Sequence, residues 1–419
     1  MRFSNKTITI FGLGRSGLES ALLLKSLKAG IKIKITDAKD DTRIRDNVKK
    51  LGDGIDIDLG KHTEDFIKDS DLIVLSPGIR PDLPILLWAK KQGIKIIGEI
   101  ELGFLLCSAP IIAVTGTNGK TTVTTLISQV LQHTDKKIHL CGNIGRPFCK
   151  EIPNIKKDDL VCLEVSSFQL ETIEKFRPKA AVFLNFSRNH LDRYNNMQEY
   201  LSSKKRIFEN QDARDWAVLN YADETVRDIS KEIKSQAVFF NNQGKKENVD
   251  LNPNHLAVLA VAKIFGVNKE DCLEVFSKFK GIEHRLELVR SIDSVDFIND
   301  SKSTTVEAAV WALNSINKPI IMIAGGKDKG SDFSTIKDLI RKKVKELFVI
   351  GQAKKKIKQA LDNSTEIKEA GSLKDAVYLA RKDALAGDCV LLSPMCASFD
   401  MFRDFEERGR VFKQIVKGI

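Results

Sequence analysis

Several things are missing from this chain of 419 residues. No apolar stretch approaches the roughly 18–20 residues that a membrane span needs, and charges interrupt every long candidate. The first residues, "MRFSNKTITIFGLG", run into a strand pattern with no signal-peptide apolar region or cleavage site. Cys-x-x-Cys pairs are absent. The seven cysteines (Cys107, Cys141, Cys149, Cys162, Cys272, Cys389 and Cys396) are scattered and odd in number. That argues against a zinc ribbon or a disulfide framework and for reduced core thiols. These absences predict a cytoplasmic protein with no membrane span. Internal repeats and low-complexity linkers are missing too. The net charge of +11 would suit a polyanionic partner. Yet no aromatic-interleaved basic stripe occurs, and segments such as "KHTEDFIKD" and "RKKVKE" mix both signs. The surplus reads as a solvated lysine-rich surface, with no nucleic-acid partner.

What is present is strand–helix alternation, three times over. The length allows two or three domains, each with its own core. In the first stretch "TITIF", "IKIKITD", "DLIVLS" and "IKIIG" read as parallel strands, and "LESALLLKSLKAG" as a helix closed by Gly30. The second stretch offers "PIIAVT", "KIHLCG", "LVCLEV", "AAVFLN", "WAVLNY" and "AVFF", with a helix at "MQEYLSSKKRIFEN". The third offers "SVDFIN", "KPIIMIAGG", "KELFVIG" and "DCVLLS". We therefore expect an α/β protein of three domains. These are a Rossmann-like domain over 1–98, a central P-loop ATPase-like domain over 99–282, and a Rossmann-like C-terminal domain over 283–419.

Two glycine loops carry the chemistry. "TGTNGKTT" follows a strand and opens a helix, so the backbone N–H groups from Gly116, Thr117, Asn118 and Gly119 to Thr122 can converge on phosphate oxygens. Lys120 would reach the β- and γ-phosphates, and the Thr121 hydroxyl would meet magnesium. Val114 stands where a strict Walker A loop has glycine, so the loop is a shortened form. Neighbouring strand ends supply Asn143, the hard carboxylate of Glu164, and His190. The other loop reads Gly12-x-Gly14-x-x-Gly17, and Asp37 ends the next strand. That is the dinucleotide fingerprint, and a nicotinamide dehydrogenase is its literal reading. Its physical content is a backbone pocket for a diphosphate, which a UDP-sugar fits as well as NAD. A nucleotide-driven switch also stays open on the phosphate loop alone. Two phosphate sites in separate domains favour ATP at one and a diphosphate-bearing substrate at the other.

Taken in order, "GLGRSG", "SPGI", "TGTNGKTT", "GNIG", "LEVSSFQLE", "HLDRY", "YLSSKKRIF", "HRLE", "NDSKST" and "LLSPMCASFDMFRDFEERGRVF" resemble the Mur ligases of bacterial peptidoglycan synthesis. "NDSKST" and the C-terminal motif point to the branch that adds D-glutamate. The resemblance implies joining D-glutamate to UDP-N-acetylmuramoyl-L-alanine through an acyl phosphate, with ATP and two magnesium ions, by a monomer. It makes Lys120, Glu164, His190 and Lys204 catalytic, with Thr121, Glu164, His190 and a carbamylated Lys204 around the metals. By the same matching, Asn254, Arg285, Asp300 and Lys302 join the phosphate loop around ATP. Arg15, Ser16, Asp37, Asn143 and His190 face the UDP-substrate; Thr304, Lys329, Ser398, Phe399 and Phe405 face D-glutamate. Nothing but the resemblance distinguishes Lys204 from a solvated lysine such as its neighbour Lys205. Three places depart from the family's pattern. Arg188-Asn189 replace an acidic pair before His190, Asp250-Leu251 replace a His-Asn pair, and Thr305 replaces an asparagine.

Overall fold

The computed structural model describes residues 3–189, 193–242, 251–328 and 330–419. The chain folds as two compact units, Met1–Phe279 and Lys280–Ile419.

The first unit holds two parallel sheets. One contains β1 (Thr7–Phe11), β2 (Lys32–Asp37), β3 (Asp56–Leu59), β4 (Leu72–Leu75) and β5 (Lys95–Gly98), in the order β3-β2-β1-β4-β5. The other contains β6 (Ile111–Thr115), β7 (Ile138–Gly142), β8 (Leu160–Glu164), β9 (Ala180–Phe183), β10 (Trp216–Asn220) and β11 (Gln236–Phe240), in the order β11-β10-β9-β6-β8-β7. The inner strands are short apolar runs because helices cover both faces of a parallel sheet. All five residues of β6 and of β8 are buried, Glu164 included. One apolar cluster continues from Ile8 and Ile35 through Ile100 and Phe148 to Ala113 and Phe183, so the two sheets share a core. Glu101, fully buried, reinforces the junction. Its carboxylate accepts the backbone N–H groups of Glu174, Lys175 and Phe176 at 2.9–3.0 Å.

The second unit is one mixed sheet: β12 (Glu287–Ile292), β13 (Val295–Asn299), β14 (Ile320–Gly325), β15 (Val344–Ile350), β16 (Glu366–Glu369) and β17 (Cys389–Leu392), in the order β12-β13-β17-β14-β15-β16. Only β12 runs antiparallel, paired to β13 across a register shift between Leu288 and Arg290.

Every strand expected from sequence is present, and three more appear: β3, β12 and β16. All three are sheet edges. The expected first helix also differs. It spans Arg15–Ser26, starting inside the glycine turn and ending before Gly30, because Lys28 already takes a left-handed φ of 48°. Among the described residues, no helix is long and apolar enough to cross a membrane. The seven cysteines are free, and all but Cys107 are buried.

Candidate functional site

The carboxyl end of β6 delivers Thr115 into the loop Gly116–Gly119, and the helix Lys120–Val130 follows at once. Val114 lies inside β6 and is fully buried, so the strand continues where a longer loop would begin. Gly119 turns the chain at φ +80°, and a Cβ there would stand 2.7 Å from the Asn254 side-chain oxygen. Asn254 is thus packed against the phosphate loop. A residue not anticipated from sequence, Asn185 after β9, stitches the other flank. Its side-chain oxygen accepts the Asn118 N–H at 2.8 Å, its carbonyl accepts that of Thr117 at 3.0 Å, and its amide donates to the Asn118 carbonyl. The only sequence signal for it was an asparagine closing the apolar run "AVFLN".

Glu164, at the end of β8, is 2% exposed and has each oxygen engaged. The Thr121 hydroxyl donates to one and the Asn143 side-chain amide to the other, both at 2.7 Å. A hydroxyl, a carboxylate and a strand-end amide therefore meet beside the loop. Lys120 folds back onto the loop, donating to the carbonyls of Gly116 and Thr117 at 2.9 Å.

Lys204 sits near the end of the helix Met197–Lys205, whose N-terminus Asn196 caps by accepting the Glu199 N–H at 2.9 Å. Its side chain is 1% exposed and its amine donates to that same Gly116 carbonyl at 2.9 Å. The Tyr200 ring lies below, 4.8 Å from Nζ. Burial, reinforced by the charge of Lys120 and opposed by Glu164, pushes the Lys204 amine far below the usual lysine range. Lys205 instead reaches outward to Glu232 in an exposed ion pair.

The first glycine loop opens onto a cavity of about 820 Å³. Gly17 cannot be replaced there, since a Cβ would fall 1.9 Å from the Gly12 carbonyl oxygen. Gly12, Arg15, Ser16, the Ser76–Arg80 loop and Asn143 all line this cavity. It therefore reaches from the first sheet to Asn143 and, through Asn143, to Glu164. Asp37 lines it too, but its carboxylate accepts the backbone N–H groups of Leu13 at 2.6 Å and Lys39 at 2.8 Å. That carboxylate fastens the loop from the cavity side.

In the second unit Asp300, Lys302 and Thr304 follow β13, and Ser398, Phe399 and Phe405 follow β17. Asp300 is 3% exposed and accepts the Ser393 hydroxyl at 3.1 Å and the Leu286 N–H at 3.2 Å. Burial pushes its carboxyl up to about 7. Arg285 lies over the Trp311 ring at 5.0 Å and Lys302 over the Phe405 ring at 6.0 Å. Thr304 is half-buried, Ser398 is buried, and Phe399 is exposed. Thr305 caps the helix Val306–Ser315 by accepting the Ala308 N–H at 3.3 Å, a task that an asparagine also performs. Sequence reasoning missed Arg408, which is fully buried. It donates to the Ser301 hydroxyl and carbonyl and to the Cys396 carbonyl at 2.9–3.2 Å. The loops after β13 and β17 are bound together by this one guanidinium. His190, Lys329 and Asp250 lie outside the described residues.

Three family models cover most of the chain: the Mur ligase MurD-like N-terminal domain over residues 6–98, the Mur ligase middle domain over 114–287, and the Mur ligase glutamate ligase domain over 284–396. The chain is 40% identical to the UDP-N-acetylmuramoylalanine–D-glutamate ligase of Koribacter versatilis (strain Ellin345), covering 100% of this chain and 98% of that one. It is 38% identical to the enzyme of the same name from Thermoanaerobacter sp. (strain X514), over 99% of both. Among solved structures, UDP-N-acetylmuramate-alanine ligase MurC from Thermotoga maritima superposes with a TM-score of 0.58 at 19% identity, over 99% of each chain. A pseudomurein peptide ligase type C from Methanothermus fervidus gives 0.57, also at 19% and over 99% of each.

Proposed function

The chain belongs to the Mur ligase family, and on that premise we propose that it is the ATP-dependent amide ligase that adds D-glutamate to UDP-N-acetylmuramoyl-L-alanine in peptidoglycan synthesis. The observation that carries this reading is whole-length identity of 37–40% to enzymes bearing that name. The cavity running from the Gly12 loop to Asn143, with Glu164 behind it, supports it independently.

A carboxylate is a poor electrophile because its leaving group would be oxide. Here the alanyl carboxylate attacks the γ-phosphorus of ATP, ADP leaves, and an acyl phosphate forms. The amine of D-glutamate then attacks the acyl carbon, phosphate departs, and the nitrogen loses a proton as the amide forms. The protein's part is positioning and charge neutralisation. Lys120 exchanges its carbonyl partners for the phosphates, and the amides of Gly116 to Thr122 hold the rest. Asn254 in the first unit, and Arg285, Asp300 and Lys302 in the second, serve the nucleotide. Arg15, Ser16, Asp37 and Asn143 hold the UDP-substrate. Thr304, Ser398, Phe399 and Phe405, with Lys329, hold D-glutamate. His190 serves the second metal and the substrate carboxylate.

Magnesium fits the donors at the loop, since the Thr121 hydroxyl and Glu164 carboxylate are hard oxygen ligands side by side. When bound, it neutralises charge on the transferring phosphoryl group. A second site is the role of Lys204. A neutral buried amine adds to carbon dioxide, releasing one proton and leaving an anionic carbamate. That anion would offset Lys120 and supply metal-binding oxygens where an ammonium would repel them. The enzyme acts as a cytoplasmic monomer. The test is steady-state ADP release that requires both UDP-N-acetylmuramoyl-L-alanine and D-glutamate. ADP release indifferent to either substrate, or turnover of NAD(P)H, overturns the reading.

A further inference from the structure

The cavity at the Gly12 loop is bounded by the carbonyl-rich turn Ser76–Arg80, which belongs to the first sheet. Something must hold that turn against the second sheet, where the phosphate loop lies. One side chain does so. Arg193 donates to the carbonyl of Pro77 at 3.5 Å and to that of Ile79 at 3.4 Å. Its N–H groups also grip both oxygens of Glu171, at 3.1 and 2.5 Å, and its guanidinium carbon lies over the Phe168 ring, 4.3 Å from the centroid. The ion pair is shielded, with side chains 11% and 13% exposed.

Glu171 is itself anchored on the far side. The Tyr194 hydroxyl donates to it at 2.6 Å and also lies 3.2 Å from the Ser203 hydroxyl, which donates to the Ser167 carbonyl at 2.8 Å. Ser203 directly precedes Lys204. A continuous polar chain thus runs from the rim of the substrate cavity to the helix that carries the buried lysine. Only a planar fork can serve two carboxylate oxygens, two carbonyls and a ring face at once; an ammonium cannot.

We propose that Arg193, locked by Glu171, is a positioning residue that sets the Pro77–Ile79 rim of the UDP-substrate cavity against the phosphate-loop side of the site. The inference rests on the ligase reading for the identity of the ligand, but its measurement does not need catalysis. Arg193→Lys keeps the charge and loses the fork; Glu171→Gln frees the arginine. Calorimetry of UDP-N-acetylmuramoyl-L-alanine binding without ATP should show Kd raised about tenfold in each variant. The double variant should be no worse than the single ones, because both break the same link. In steady-state assays KM for the UDP-substrate should rise with it, while KM for ATP and kcat stay within about twofold. An unchanged Kd in Arg193→Lys overturns the proposal. So does an equal rise in KM for both substrates, which is what general loosening would give. If the wild-type protein binds this substrate but turns over ATP continuously without D-glutamate, the ligase reading fails while the binding arm still decides the role of Arg193.

Discussion

Among the described residues, each unit of the molecule buries one long cation to 1% exposure or less, and the two fare differently. Lys204 in the first unit faces another lysine and one carbonyl, and its amine is driven far below its usual range. Arg408 in the second has a hydroxyl and two carbonyls around it, and burial lowers it only to about 10. The chemistry of the head groups explains the outcome. An amine deprived of water can shed its proton and become a nucleophile. A guanidinium starts so high that it stays charged and satisfies its donors with oxygen acceptors. The first unit thus buries a cation with little to hold its proton, and the second a brace between motif loops.

The comparison breaks hardest at Lys204. Lys204→Ala should lower kcat by about a thousandfold, as for loss of a group that stabilises transition-state charge. A short carboxylic acid added to the assay should restore part of the rate. Lys204→Arg should be equally inactive and unrescued, since a permanent cation forms no carbamate; a working Arg variant would end the carbamate reading. Arg408→Met should act on stability first, with urea denaturation losing about 3–5 kcal/mol because the Ser301 and Cys396 carbonyls are left buried without donors.

Two buried carboxyls extend the comparison to pH. Glu99, fully buried with one oxygen on the Cys149 N–H, is pushed up to about 7 by burial, as is Asp300 in the second unit. Both native values lie above the ordinary ones. Each carboxyl therefore favours the folded state fully below about pH 4, and that contribution fades as pH rises through 7. Glu99→Gln and Asp300→Asn should each flatten the decline, by on the order of 3 kcal/mol between pH 4 and 8. Thermal melts across that range provide the check, and parallel wild-type and variant profiles would refute the assignment. The smallest effects belong to the helix caps. Asn196→Ala and Thr305→Ala should each cost about 1 kcal/mol, whereas Thr305→Asn should be close to neutral.

Much of this was legible in the sequence. Inner strands announce themselves because a parallel strand between two helical layers has to be apolar throughout. The three strands that went unread, "DIDL", "ELVRSI" and "EIKE", are edges. There charged residues are favoured and no apolar run forms. The glycine loops and Glu164 were legible because their residue types are fixed by backbone approach and strand-end geometry. The difference between Lys204 and Lys205 was not. Adjacent lysines on a helix point about 100° apart, and which one meets the phosphate loop depends on how the helix packs. Asn185, Arg193 and Arg408 went unread for the same reason, since each has a partner 67 to 116 positions away in the chain.

Lys120 is hydrogen-bonded to the carbonyls of its own loop. Phosphate that takes up this lysine displaces it from two carbonyls, those of Gly116 and Thr117. Lys204 already shares one of them, so the trade leaves the Gly116 carbonyl occupied. The Thr117 carbonyl is then the one that the exchange leaves to find another donor.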